Sequence, residues 1–320
     1  MPVLKYPPTG DPRVTIAITT FRRESQLGAL LATVQERIAE LPPSVRVRTL
    51  VIDNDPAGSA RAVVEAIGAE ARGGRTDYAH ETRPGIAAAR QRALDEAHDT
   101  DAVVFLDDDC VPQEGWLPAL IDAWQEHGAD AVMGYVKYVW PPEASRWIVA
   151  GGFMRRDATP TGTSLSTFAT GNVLVDMATV RRLGLHFDRS LGLSGGEDSL
   201  FGEQLVAAGG TIVACLESVA VDEVPVSRTT RDFARRRSIS HGQVRVKLRL
   251  RAERGRLRRA RVRVVSFFGG LLRLVAFYTL HLVGKVTRNV PRDAIGMRRA
   301  WYAWGMVQQS VGHATDEYAR

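Results

Sequence analysis

The chain has 320 residues, with 42 Lys and Arg against 36 Asp and Glu, and a formal net charge of +6. Apolar residues make up 45% and charged residues 24%, which excludes a disordered chain. The two cysteines, Cys110 and Cys215, exclude a disulfide framework and favour a reducing, cytosolic setting. We expect both to be small buried residues rather than nucleophiles. The opening residues have neither a charged n-region nor an apolar core, so we predict no signal peptide.

The charge is distributed unevenly along the chain. Residues 1–227 hold 20 basic and 31 acidic side chains, whereas residues 228–263 hold 15 basic and two acidic ones. Such a basic band suits an anionic partner. Nucleic acid is unfavoured, because Phe233 is the only aromatic residue in the band and no nucleic-acid motif is present in the sequence. We expect an anionic membrane surface, and a solvated arginine-rich helix is the alternative.

The first 110 residues alternate short β-branched segments with segments of helical spacing. The predicted strands are 14–20, 47–53, 77–80 and 102–106, and the predicted helices are 27–38, 60–67 and 86–98. This alternation is typical of a mostly parallel sheet with covered faces. In such sheets ligands bind at the carboxyl ends of the strands. Polar residues follow three of these strands, and we expect them to converge on one cleft: 19–22, 53–55 and 107–109.

From about residue 130 the pattern changes. We predict strands at 131–139, 167–175, 211–214 and 218–224, a loop-rich segment at 141–163, and helices at 177–183 and 195–208. Beyond Pro225 the composition becomes basic and helical. The chain is therefore divided into a domain at 1–227, with halves at about 13–110 and 111–227, and a basic, partly amphipathic helical extension at 228–320.

One apolar stretch, 264–284, is long enough to cross a bilayer. At helical spacing, one stripe of this stretch has a single apolar member, Phe277: Ser266, Gly270, Arg273, Phe277, His281 and Lys285. This pattern favours an amphipathic helix over a spanning one. Docking on a membrane surface is the preferred interpretation, and packing on another subunit of a homo-oligomer and a true span remain open.

Three adjacent carboxylates, Asp107, Asp108 and Asp109, follow the predicted strand 102–106. They repel one another unless a cation or several hydrogen-bond donors neutralise them. Mg²⁺ and Mn²⁺ prefer such oxygen ligands, so a metal site is one interpretation. A solvated acidic turn that caps the next helix is the other. On an extended segment, Asp107 and Asp109 point to one side and Asp108 to the other.

Two further segments combine glycine with charge at a predicted helix start. In Gly195-Gly196-Glu197-Asp198, the glycines allow a close approach of a ligand, and a carboxylate could take a proton from a hydroxyl. Simple helix capping is the alternative. In the segment from Arg83 to Arg90, arginines flank a glycine and could hold a diphosphate, or the pattern is ordinary helix punctuation.

In their order, these residues resemble the family 2 glycosyltransferases, which have the GT-A fold and use nucleotide-diphosphate sugars. The resemblance rests on five motifs spread over roughly residues 13–226: Thr19-Thr20-Phe21, Val51-Ile52-Asp53-Asn54, Arg83-Pro84-Gly85 with Ala89-Arg90, Phe105-Leu106-Asp107-Asp108-Asp109 with Pro112, and Gly196-Glu197-Asp198. It implies an α/β GT-A fold and an inverting transfer to an acceptor hydroxyl. The implied donor is of the UDP or dTDP type, and the implied cofactor is Mn²⁺ or Mg²⁺.

The resemblance also implies roles for single residues. It implies a nucleotide site that contains Thr19, Thr20, Phe21, Arg22 (or Arg23), Asp53, Arg83, Arg90, Asp107 and Asp108. Within it, Asp53 would accept from the imide N–H of uracil or thymine.

The chemical roles follow from the same resemblance. Asp109 would bind the metal, with Asp107 close to the ribose or the metal's waters, and Asp198 is the predicted base, with Glu197 as second choice. Family members often have a histidine after the last strand, and here Glu223 or His241 would replace it as a metal ligand.

Cell-surface glycan, glycolipid and natural-product assembly are the settings that fit such an enzyme. We expect it in the cytoplasm or peripherally on the inner face of the plasma membrane. A sugar-phosphate nucleotidyltransferase is an alternative, but residues 14–23 lack the glycine- and lysine-rich loop that it needs. A degenerate GT-A scaffold at the membrane is a second alternative, and the intact carboxylates at 107–109 and 197–198 count against it.

Overall fold

The computed structural model describes residues 12–70, 74–191 and 195–313, so the opening residues considered for a signal peptide lie outside the described part. The strands are β1 (Arg13–Thr20), β2 (Arg46–Asp53), β3 (Arg75–His80), β4 (Ala102–Asp107), β5 (Cys110–Pro112), β6 (Ala131–Val139), β7 (Asn172–Asp176) and β8 (Ile212–Glu223). The helices are α1 (Glu24–Ile38), α2 (Arg61–Glu70), α3 (Ile86–Glu96), α4 (Trp116–His127), α5 (Arg146–Gly151), α6 (Met177–Leu183), α7 (Glu197–Ala207), α8 (Arg231–Ala252), α9 (Arg256–Val286) and α10 (Val290–Ser310).

The strands form one eight-stranded sheet in the order β3-β2-β1-β4-β7-β6-β8-β5. Strands β3, β2, β1 and β4 run parallel, as the alternating pattern predicts. Strand β7 is antiparallel to both β4 and β6, and β5 is antiparallel to β8, so the sheet as a whole is mixed. The parallel half therefore brings the ends of β1, β2 and β4 to the same edge.

The core follows from the apolar patterning of these elements. Strand β1 is buried on both faces from Val14 to Thr20, as expected for a central parallel strand. Helix α3 packs alanines against the sheet, and their small side chains let its backbone come close. Aromatic rings complete the same core cluster, where Phe187 lies 5.5 Å from Phe105 and 4.7 Å from Phe201 between ring centroids.

Some elements in the structure differ from the predicted ones. The two short strands predicted at 211–214 and 218–224 form the single strand β8. The polar Ser218 does not break this strand, because its backbone carbonyl accepts from the Asn172 amide at 3.0 Å in the core. The predicted loop at 141–163 contains helix α5, whose first turn is capped by the Ser145 hydroxyl. The short strand β5 carries too few residues for a periodic pattern to reveal it.

By internal contacts the chain forms two compact units. Unit 1 comprises residues 1–137, 156–192 and 197–222, and unit 2 comprises residues 138–155, 193–196 and 223–320. Unit 1 contains most of the sheet, and unit 2 contains α5, α8, α9 and α10. The boundary at residue 228 stays a prediction.

Helix α9 continues without a break through Gly269 and Gly270. Among the described residues, it is the one helix long and apolar enough to cross a membrane, and 17% of its most apolar window is buried.

Candidate active site

The polar ends of three parallel strands lie side by side in unit 1. In the ladders, Thr20 is paired with Asp53 of β2, and Thr19 is paired with Asp107 of β4. The predicted convergence of these three segments is therefore present. Thr19 and Thr20 are both buried. The edge of the sheet therefore carries their hydroxyl groups next to the carboxylates of Asp53 and Asp107.

Two consecutive arginines after β1 face different strand ends. Arg22 has a left-handed backbone (φ 54°), which is uncommon outside glycine and marks a constrained position. Its Nε donates to Asp55 at 3.0 Å, and its guanidinium lies 4.9 Å from the Phe21 ring centroid. Arg23 Nη1 lies 2.6 Å from Asp108 and 3.1 Å from Asp109. The two arginines thus neutralise carboxylates that follow β2 and β4.

Asp108 is turned into the protein rather than towards solvent. Its carboxylate accepts from the Thr20 hydroxyl at 2.9 Å and from Arg23. Burial raises the pKa of Asp108 to about 6, against the opposing effect of Arg23. These contacts make Asp108 a group that holds β1 and β4 together at the site edge.

Arg90 joins two carboxylates that are distant in the sequence. Its Nη2 lies 2.9 Å from Asp107, and its Nη1 pairs with Glu197 at the start of α7. Arg90 and Glu197 are both buried. Burial raises the pKa of Glu197 to about 7, with Arg90 opposing and Asp198 reinforcing the rise. This triad, with Arg90 and Glu197 buried and Asp107 half-buried, ties α3, β4 and α7 to one another.

The two candidate bases differ in accessibility. Glu197 is 3% exposed and is held by Arg90, whereas Asp198 is half-buried and accepts from the Ser199 backbone N–H at 2.6 Å. A general base must reach the proton that it takes from the acceptor. The accessibility therefore favours Asp198 for this role and gives Glu197 a supporting one.

A candidate metal site lies beside Asp109. Ligand atoms of Asp109, Cys110 and Asp222 are all within 4.8 Å of one another. Burial, reinforced by Asp107 and Asp109, raises the pKa of the Cys110 thiol well above its usual range, so the thiol stays protonated. The two carboxylates are the oxygen donors that Mg²⁺ and Mn²⁺ prefer, and the residues therefore fit such an ion.

The ligands expected from the sequence, Glu223 and His241, both belong to unit 2. Asp222 is buried and paired with Cys110 across the β5–β8 ladder, and Glu223, the next residue, is exposed. His241 lies in unit 2, where it lines a cavity of about 170 Å³ together with Arg237, Arg298 and Tyr302. Their role as metal ligands stays a prediction.

Asp53 is engaged by the protein itself. It is fully buried, and its carboxylate accepts from the backbone N–H groups of Asp55 (2.9 Å) and Ala60 (2.8 Å) and from the Tyr78 hydroxyl (3.1 Å). These bonds hold the loop after β2 in place. Its proposed contact with a nucleotide base is therefore a prediction that would need this loop to rearrange. Arg83 lies at the surface, where it pairs with Glu81 at 2.9 Å.

Three residues shape the site although the sequence analysis gave none of them a role of its own. The position of Asp222 beside Asp109 could not be predicted, because the sequence does not reveal which strand β8 pairs with. Asn54 donates to the carbonyls of Glu81 and Arg83 and accepts from the Gly85 N–H, so it connects the loops after β2 and β3. A Cβ at Gly171 would lie 3.0 Å from the Asp107 carboxylate, so only glycine leaves that carboxylate undisturbed.

Known proteins share both the sequence pattern and the architecture. The sequence model of glycosyl transferase family 2 matches residues 15–182. The succinoglycan biosynthesis protein ExoM of Rhizobium meliloti (strain 1021) is 33% identical over 231 residues, which cover 72% of this chain and 73% of that protein.

Solved structures agree with the sequence matches. A mannosyltransferase from Pyrobaculum calidifontis, in complex with GDP-Man and Mn²⁺, superposes with a TM-score of 0.63 at 18% identity and covers 95% of this chain and 88% of its own. S. aureus TarS 1–349 in complex with UDP-GlcNAc superposes with a TM-score of 0.56 at 13% identity and covers 91% of each chain. The predicted GT-A fold is confirmed by these likenesses.

Proposed function

The chain belongs to glycosyl transferase family 2 and is a glycosyltransferase, and we propose that it transfers a sugar from a nucleotide-diphosphate donor to an acceptor hydroxyl with inversion. The observation that supports this most directly is the cluster of carboxylates and arginines at the ends of β1, β2 and β4. Membership of glycosyl transferase family 2 argues against the alternative of a sugar-phosphate nucleotidyltransferase. The accessible Asp198 supports an active enzyme over a degenerate scaffold.

A divalent cation, Mn²⁺ or Mg²⁺, would be held by Asp109 and Asp222. When bound, it would stabilise the negative charge that develops on the leaving diphosphate. Mn²⁺ is present in the Pyrobaculum calidifontis structure, which supports a divalent ion in proteins of this fold. Asp107 is held by Arg90 beside this pair, and its predicted place near the ribose or the metal's waters is consistent with that position.

Asp198 takes the proton from the acceptor hydroxyl in this proposal. The oxygen then attacks the anomeric carbon from the face opposite the diphosphate, and one displacement inverts the configuration. The Arg90–Glu197 pair fixes the start of α7 and so orients the carboxylate that follows it. A group held in this way needs little reorganisation to reach its reactive position.

The donor would be bound along the edge formed by the strand ends. Thr19 and Thr20 offer hydroxyls, Phe21 offers a ring, and Arg22 is exposed enough to meet a phosphate. If Asp53 accepts a hydrogen bond from the imide N–H of uracil or thymine, the donor is a UDP- or dTDP-sugar. Its carboxylate is already used by three internal donors, so a GDP-sugar must be included in any test.

The acceptor and the location are proposals from similarity. ExoM is named for succinoglycan biosynthesis, and from this we infer a saccharide hydroxyl as the acceptor of this chain. We also infer that it works in the cytoplasm at the inner face of the plasma membrane.

A thermal-shift screen tests the donor and the metal together. UDP-, dTDP- and GDP-sugars are added with Mn²⁺ or with EDTA, and the midpoint of unfolding is recorded. Because a ligand that binds the native state stabilises it, we expect one donor class to raise Tm with Mn²⁺ and not with EDTA. No shift with any donor, followed by no transfer with saccharide acceptors, would contradict the proposed function.

A neighbouring pair of variants tests the metal site. Asp222→Asn should remove the Mn²⁺-dependent shift and lower transfer about 10²–10³-fold, since it removes one of the two negative charges that would hold the ion. Glu223→Gln is the matched control, because it makes the same change at the next residue on the exposed side of the strand. If only Glu223→Gln loses the shift, the ligand first expected from the sequence is the right one.

A further inference from the structure

Helix α9 has its small and polar residues inside and its large apolar residues outside. The buried residues of α9 are Ser266, Gly270, His281 and Gly284. A Cβ at Gly270 would lie 2.9 Å from Val307 of α10, so the two helices are in close contact there. His281 Nδ1 lies 2.6 Å from an Asp293 carboxylate oxygen of α10. The side of α9 that faces α10 therefore includes Ser266, Gly270 and His281 of the polar stripe expected from the sequence, while Arg273 and Lys285 of that stripe are exposed.

The opposite side of α9 is exposed and apolar. Side chains there include Phe268 (63% exposed), Leu272 (73%) and Val275 (60%). We define the apolar face of α9 as the exposed residues Val264, Val265, Phe268, Leu271, Leu272, Val275, Tyr278, Leu282, Val283 and Val286. At about 100° per residue, these cover roughly 140° of the helix surface over roughly 33 Å.

A face of this size in water needs a partner. Soluble monomers rarely expose contiguous apolar patches of more than a few hundred Å², and larger ones mark interaction sites. Within unit 2, α10 packs against the other side of α9 and leaves this face uncovered. The occupant must therefore come from outside the described chain.

The charges around the face select the occupant. Basic residues precede it on the first turns of α9 and follow it at Lys285 and Arg288, and residues 254–292 contain no Asp or Glu. If two copies paired through this face, in either direction, basic ends would meet basic ends and repel. Anionic lipid headgroups would instead be attracted at both ends.

The charges of α10 select the orientation. Helix α10 carries Arg298 and Arg299, and Arg299 stacks over the Phe277 ring of α9 at 5.2 Å. If α9 crossed the bilayer with α10 packed along it, these guanidinium groups would enter the hydrocarbon region, at a high cost in free energy. A helix that lies in the plane of the interface keeps them on the aqueous side.

We propose that α9 lies in the plane of an anionic membrane, with its apolar face in the acyl boundary and its basic ends among the headgroups. This specifies the membrane contact of the proposed location, and it does not depend on the transfer reaction. Binding combines burial of the apolar face with attraction of the basic band to the lipids, so it weakens as salt rises.

Vesicle sedimentation of the full chain tests this docking. Vesicles of phosphatidylcholine with about one-third phosphatidylglycerol should bind the protein, and phosphatidylcholine vesicles should bind it much more weakly. Leu272→Glu/Val275→Glu should lower the affinity for the anionic vesicles about a hundredfold, because two apolar side chains that would insert into the acyl boundary become charged. Both positions are exposed in the structure, so folding should be retained.

A matched variant separates the face from the general charge change. Val226→Glu/Val311→Glu alters two other exposed valines (56% and 57% exposed) and should bind like the wild type. Equal loss in both variants would overturn the proposal, as would a wild-type dimer that Leu272→Glu/Val275→Glu makes monomeric. Resistance to alkaline carbonate extraction would overturn the in-plane orientation. Transfer activity is assayed separately in detergent, so failure of docking and failure of the reaction are distinguishable.

Discussion

Two regions of the chain contrast in what they bury. In unit 1, the strand-end cluster buries or half-buries charged groups: Arg23, Arg90, Asp107, Asp108, Asp109, Glu197 and Asp222. In unit 2, the α9–α10 hairpin (Arg256–Ser310) buries small and polar residues and exposes large apolar ones. Buried charge and exposed apolar surface both cost free energy. The first arrangement suits chemistry on a charged ligand, and the second suits docking.

The largest expected effect concerns the proposed base in the strand-end cluster. Asp198→Asn should lower the turnover of transfer about 10³-fold while donor binding is unchanged, because the amide cannot accept the hydroxyl proton. Turnover and donor affinity are measured separately, by initial rates and by titration. Glu197→Gln is the matched neighbour. If it lost turnover without losing stability while Asp198→Asn remained active, the two roles would be exchanged.

Replacement of Arg90, which pairs with both Asp107 and Glu197, should destabilise the same cluster. Arg90→Met leaves Asp107 and Glu197 without their common partner, and we expect the free energy of unfolding to fall by about 3 kcal/mol. Denaturant titration measures it. Arg61→Met, at an exposed pair with Glu65 and 4.4 Å from the Tyr78 ring centroid, should change stability by less than about 1 kcal/mol. Equal changes in the free energy of unfolding in the two variants would show that the triad contributes no more to stability than an exposed ion pair.

Close packing in the hairpin should give an intermediate effect. A Cβ at Gly296 of α10 would lie 2.9 Å from both the His281 Cα and the Phe277 carbonyl oxygen of α9. Gly296→Ala should therefore destabilise the protein by about 1–3 kcal/mol through overpacking. Gly269→Ala is the control, because its Cβ would meet only the flexible end of Arg273, and helix propensity favours alanine there. Unfolding of both variants is followed by circular dichroism, and a stabilised Gly296→Ala would contradict the close contact.

A further expected effect is a pH dependence of stability that arises from Glu197. Its pKa is raised to about 7 in the native state from 4.5, so between these pH values the native state binds more protons than the unfolded state. The free energy of unfolding from this group therefore falls as pH rises from about 4.5 to 7. Glu197→Gln should show a smaller decrease than the wild type in denaturant titrations across this range. Glu65→Gln, an exposed residue, should keep the wild-type slope.

Local patterns predicted the parallel half of the sheet well. Burial on both faces makes β1 and β4 continuous apolar runs, and the polar residues that end them are visible in the sequence. The antiparallel half of the sheet was harder to predict from the sequence. Strand β8 contains Glu217 and Ser218, which look like a break, and only its pairing keeps it continuous. Pairing depends on residues far apart in the chain, which periodicity does not report.

The site divides in the same way. Asp107–Asp109 and Glu197-Asp198 were identified from motifs, because their chemistry is carried by adjacent residues. The choice between Glu197 and Asp198 rests on Arg90, which lies 107 positions before Glu197. The choice of Asp222 beside Asp109 rests on the register of β5 against β8. Each of these contacts joins separate elements.

By itself, the sequence determined the family, the GT-A fold, the acidic strand ends and the contrast between an acidic domain and a basic extension. Those features are written in local composition, spacing and order. Only the tertiary structure decided which carboxylates are neutralised by arginine, which one stays accessible, and which side of α9 faces outward. These properties depend on burial and on distance between remote residues, and both arise only when the chain has folded.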